Sequence, residues 1–108
     1  MCRDTATLRL SLENTGDTTL TFRSDSSQRV EFDVETLGGS LVWRWSEAND
    51  LFFSPVISEL SVSPGDTVTW SVEWPQEYTD GRLVPVNEYL VTGTVFGAGS
   101  DTRRIRVL

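Results

Sequence analysis

The chain has 108 residues, 38% of them hydrophobic, and a net charge of −7, which fits one domain around one core. No apolar run approaches membrane-spanning length, so a soluble globular protein is expected, with no membrane-spanning segment. Such an acidic surface repels nucleic acid and anionic membranes, and no nucleic-acid partner is expected.

Period-two alternation is nearly continuous along the chain. Ala6, Leu8, Leu10 and Leu12 alternate with Thr7, Arg9 and Ser11, before a turn at Asn14-Thr15-Gly16-Asp17. Leu20 and Phe22 mark a second strand, and Val30, Phe32 and Val34 a third, with Asp33 and Glu35 on its polar face. Gly38-Gly39 is a hairpin signal leading into a fourth strand. There Leu41, Trp43 and Trp45 are expected to share one face and Arg44 the other.

Residues 46–53 have room for a helical turn capped by Ser46 and ended by Pro55. A short strand is expected over Ile57 to Val62, then a turn at Ser63-Pro64-Gly65-Asp66. Val68, Trp70, Val72 and Trp74 give the clearest strand, followed by a long irregular segment from Pro75 to Asn87. Tyr89, Val91, Gly93 and Val95 form the next strand. A flexible hairpin loop over Gly97 to Asp101 then precedes a closing strand at Ile105 and Val107.

This pattern predicts an all-β fold: a single immunoglobulin-like antiparallel β-sandwich of about seven to eight strands. It spans residues 1–108, with 1–5 a flexible N-terminal segment. Tyr89 is placed to act as a tyrosine corner, tying its strand to the preceding loop.

The residue inventory narrows the chemistry. All nine basic residues are arginine, and there is no histidine. Histidine-assisted serine or cysteine catalysis is therefore unavailable, and a zinc site lacks its usual ligands. No Walker loop or dinucleotide fingerprint is present. Asp33 and Glu35 have ordinary surface spacing, and Glu47, Asn49 and Asp50 lack an EF-hand pattern. No enzyme activity, catalytic residue, cofactor or metal is expected. The single cysteine, Cys2, forms no internal disulfide. It is either incidental or the lipidated first residue of a mature cell-envelope lipoprotein.

Aromatic residues remain. Trp43, Trp45, Trp70 and Tyr89 are assigned to the core, although Trp45 and Trp74 lie at strand ends, where partial exposure is expected. A tryptophan ladder for sugars or proline-rich peptides is the alternative use of the indoles. Leu51, Phe52 and Phe53 either plug one end of the sandwich or form an apolar bait for a partner. A second loop offers Tyr78, Arg82 and Leu83, residues of types suited to protein contact.

The strings Gln28-Arg29-Val30-Glu31-Phe32-Asp33-Val34 and Gly39-Ser40-Leu41-Val42-Trp43-Arg44-Trp45-Ser46 carry a family resemblance. With Phe53, the Pro64-Gly65-Asp66 turn, the strand to Trp74 and Tyr89-Leu90-Val91-Thr92-Gly93, they are similar to the bacterial intracellular proteinase inhibitor (BsuPI) domain. The chain departs from that pattern at Ser27, at Val30-Glu31-Phe32 and at Val86-Asn87-Glu88. The resemblance implies a non-enzymatic, monomeric β-sandwich in the cytoplasm whose protein partner is a subtilisin-type serine protease, inhibited by loop-mediated occlusion. It supplies no reactive-site motif, and a structural or adhesion module of the cell envelope is the alternative.

Overall fold

The structure, a computed structural model, describes residues 5–108. Met1 to Asp4 lie outside the described residues, and with them Cys2 and all but the last residue of the expected N-terminal segment. Eight strands form: β1 (Ala6–Glu13), β2 (Leu20–Ser24), β3 (Val30–Thr36), β4 (Leu41–Arg44), β5 (Ser58–Val62), β6 (Thr67–Trp74), β7 (Asn87–Val95) and β8 (Gly99–Val107). One helical turn, α1 (Trp45–Ala48), lies between β4 and β5.

The strands make an immunoglobulin-like antiparallel sandwich. One layer is a four-stranded sheet in the order β4-β3-β7-β8. The other consists of two ladders, β1-β6 and β2-β5. The alternation seen in the sequence explains the packing: Val30, Phe32 and Val34 of β3 and Tyr89, Val91 and Val95 of β7 are buried between the layers. Gly93 completes that row, because a β-carbon there would sit 3.1 Å from the Leu10 side chain of β1.

Asn14 joins the two ladders. Its backbone N–H donates to the Asp66 carbonyl at 3.0 Å, and its own carbonyl accepts from Gly65 N–H at 2.8 Å. Its side-chain amide donates to the Thr18 and Val62 carbonyls, both at 2.8 Å. The Ser63–Asp66 turn closes with Asp66 N–H on the Ser63 carbonyl, and Gly65 at φ 80° takes the left-handed position. At the far end, Gly97 has φ 86°, and a β-carbon on it would lie 2.4 Å from the Arg23 carbonyl. Only glycine lets the β7-β8 hairpin approach β2 this closely.

Two sequence expectations change here. The β7-β8 connection is not a loop over 97–101: Ala98 N–H closes a tight turn on the Val95 carbonyl, and β8 already pairs from Gly99. The fourth strand ends at Arg44, so Trp45 opens α1 instead of continuing the strand. A register shift against Val34/Glu35 also breaks the alternation, leaving Val42 and Trp43 both buried and Leu41 exposed.

Candidate functional site

The string from Val42 to Ser46 anchors the surroundings of the site. Trp43 is 2% exposed, and its ring lies 6.4 Å from that of Trp74. Trp74 in turn meets Tyr89 edge-on at 6.0 Å. Each such pair adds about 0.5–1.5 kcal/mol to the burial of its rings. Trp74 is fully buried, contrary to the exposure expected of a strand end. The reason is the following loop, which folds over it and offers the Glu77 carbonyl to the indole N–H at 2.9 Å. Tyr89 Oη donates to the Pro85 carbonyl at 2.7 Å. Trp45 and Trp70 are only half-buried at the margin of the core, Trp45 standing edge-on to Phe32 at 6.2 Å.

The helical turn is held from β3. Ser46 does not cap it; Arg44 occupies the N-cap position without a side-chain hydrogen bond. The acceptor comes instead from Glu31, a buried carboxylate. It receives Ser46 N–H at 3.1 Å, Ser46 Oγ–H at 2.5 Å, Gln28 Nε2 at 2.9 Å and Phe32 N–H at 3.2 Å. Such a carboxylate is satisfied by donors that fix the turn, which makes it structural. Beside it, Arg44 Nε bonds Asp33 at 2.8 Å, and this hydrogen bond raises the arginine pKa against the opposing effect of burial.

Residues 49–57 leave α1 and reach β5 without regular structure. Leu51 N–H donates to the Ser46 carbonyl at 2.9 Å. Ser54 is pinned twice to Ser27: Ser27 N–H to its carbonyl at 2.9 Å, and its own N–H to Ser27 Oγ at 2.8 Å. Between these pins Phe52 is 95% exposed, Leu51 is at the solvent edge and Phe53 is half-buried. Phe52 therefore plugs nothing. Val56 and Ile57, both more than half exposed, extend the apolar surface. The strand expected over Ile57 to Val62 starts one residue later, because pairing begins only at Ser58.

The second loop is a small arm. Glu77 bridges Leu83, Tyr78 N–H meets the Arg82 carbonyl at 2.7 Å, and Gly81 N–H turns back to the Tyr78 carbonyl. The Arg82 guanidinium covers the Tyr78 ring at 4.8 Å. Thr79 fastens the arm to β4, its N–H donating to the Val42 carbonyl and its Oγ1 accepting from Arg44 N–H. Leu83 is half exposed and Val84 fully buried. Tyr78 and Arg82 thus come together. Among the described residues, no hydrogen bond or ring contact links them to Leu51, Phe52 and Phe53.

A groove of about 190 Å³ opens between β1 and β8, lined by Leu8, Leu10, Phe32, Val91 and Ile105, with the Asp101–Arg103 ion pair at its rim. Among the described residues, no three His, Cys, Asp or Glu side chains gather for a metal. No described helix is long and apolar enough to cross a membrane.

The sequence profile of the BsuPI family, intracellular proteinase inhibitors, matches residues 2–97. The chain belongs to that family. BsuPI membership supports a proteinase-inhibitor role in general, and with it a protein partner. No curated protein matches the chain. Among solved structures, it is similar to the β-glucosidase EmGH1 of Erythrobacter marinus, at 19% identity and a TM-score of 0.47, over 96% of this chain and 13% of that one. It is also similar to FlgD of Xanthomonas campestris, at 17% identity and a TM-score of 0.38, over 95% of this chain and 66% of that one.

Proposed function

We propose that this protein is a stoichiometric, non-enzymatic inhibitor of a subtilisin-type serine protease, acting by occlusion of the cleft with its loops. The observation that carries the reading is the apolar segment from Leu51 to Ile57, open to water yet pinned to Ser46 and Ser27. Exposed apolar surface of this kind marks a contact site for another macromolecule. Pinning lowers the ordering cost on binding, as an inhibitor without a disulfide requires. The Tyr78–Leu83 arm, with its arginine and tyrosine, is a second contact element.

The test is titration of several subtilisin-type proteases with the purified protein. A linear fall in activity to a stoichiometric end point is expected. Full activity at micromolar excess across the series would refute the reading.

A further inference from the structure

Two loops compete for the primary contact, and their hydrogen bonding separates them. In the 76–84 arm the main chain is already used: Tyr78 N–H, Gly81 N–H and Val84 N–H all donate within the arm. Its Arg82 guanidinium covers the Tyr78 ring and pairs with Asp80. Around Phe52 the opposite holds. Residues 51–54 run without turn or bend, and within the described residues the main-chain groups of Phe52 and Phe53 make no hydrogen bond. A protease holds its substrate as an added strand through such free N–H and C=O groups, and side-chain pockets then decide specificity.

The side chains agree with the backbone. Phe52 projects almost its whole ring into water, whereas Phe53 is half-buried and Leu51 stays at the solvent edge. A hydrogen-bond pin stands on each side, at Leu51 and at Ser54. One protruding ring on a restrained, unpaired stretch is the form of a substrate-like anchor. No charge accompanies it between Leu51 and Ile57, so a pocket carrying a carboxylate gains nothing from it.

Resting on the inhibitor reading above, we infer that Phe52 is the primary anchor, seated in the specificity pocket of a protease that cleaves after large apolar residues. Hot-spot anchors of this type carry most of the affinity, while their neighbours exclude water.

The experiment measures inhibition constants of the full chain against a subtilisin-type protease with that preference, and against trypsin, whose pocket holds an aspartate. Phe52→Ala is expected to weaken inhibition about thirtyfold or more. Phe52→Tyr is expected to stay within about fivefold of the parent, and Phe52→Asp to abolish inhibition. Because Phe52 touches so little, each variant keeps the parent's melting curve. Parent-like inhibition by Phe52→Ala overturns the anchor and leaves the inhibitor reading standing. Equal inhibition of trypsin by the parent overturns the apolar pocket. Failure of the parent against every subtilisin-type protease removes both readings.

Discussion

Asn14 is a polar side chain with 1% of its surface exposed, and it uses every polar atom it has. Its amide holds two carbonyls, its Oδ1 receives Gly16 N–H at 3.0 Å, and its backbone pairs with Gly65 and Asp66. An Asx-type turn is readable from Asn14-Thr15-Gly16-Asp17, but the distant partners Val62 and Asp66 are not. Removing the amide takes a donor from the Thr18 and Val62 carbonyls inside a buried site, the costly half of a lost hydrogen bond. Asn14→Ala is therefore expected to lower the unfolding free energy by about 2–4 kcal/mol. Asn14→Asp should do at least as badly, since a carboxylate cannot donate to two carbonyls. Urea unfolding followed by tryptophan fluorescence measures both; losses below about 1 kcal/mol in both would contradict this role.

At the scale of elements, the alternating segments were legible because both sheet faces repeat every two residues, as in β3, β6 and β7. Failures cluster where a non-local partner overrides that period. Trp45 reads as the next inward residue of β4, but Glu31 captures Ser46 and winds the chain into α1. Trp74 reads as a strand end, but the arm covers it. For the candidate site, the composition of Leu51-Phe52-Phe53 was visible, whereas its exposure depends on pins from Ser27 and Ser46 that no local pattern announces.

The arm has its own acid-sensitive fastening. Arg82 N–H, aided by the Arg82 guanidinium, holds the Asp80 carboxyl below its ordinary pKa. A depressed folded pKa contributes stability above the unfolded value, and that contribution disappears as pH falls through the folded one. The expected outcome is fraying of the arm tip as pH drops below about 4, with Asp80→Asn frayed already at neutral pH. The Arg82 amide resonance reports it, and a position unchanged from about pH 5 to about pH 2 would contradict the fastening. The effect on global stability is small, because Asp80 lies fully in solvent.

At the scale of the whole molecule, the two layers are unequal. The connected core cluster draws on β1, β3, β4, β6, β7 and β8, whereas of the β2-β5 ladder Leu60 packs at its margin and Val62 is buried outside it. That ladder is held instead by polar ties. Arg29 reaches the Phe22 carbonyl at 3.3 Å and hydrogen-bonds Ser58 Oγ, and Ser58 Oγ donates to the Ser26 carbonyl. Opening the ladder exposes Val62 and Leu60, far less apolar surface than opening the four-stranded sheet, so it costs less. Native-state hydrogen exchange should show two tiers, with the amides of β2 and β5 exchanging well before those of β3 and β7. Arg29→Ala should lower protection in β2 and β5 by on the order of tenfold and leave the β7-β8 pairing unchanged. Uniform protection in the parent, or a uniform drop in the variant, would show that the sandwich opens as one unit. The distinction bears on binding, because the Phe52 segment runs directly into Ser58. Its far pin, Ser54 on Ser27, lies next to the same Arg29 and Ser58 contacts that close the ladder. A chain that loosens there presents Phe52 on a slack segment and loses the preorganisation that an inhibitor needs.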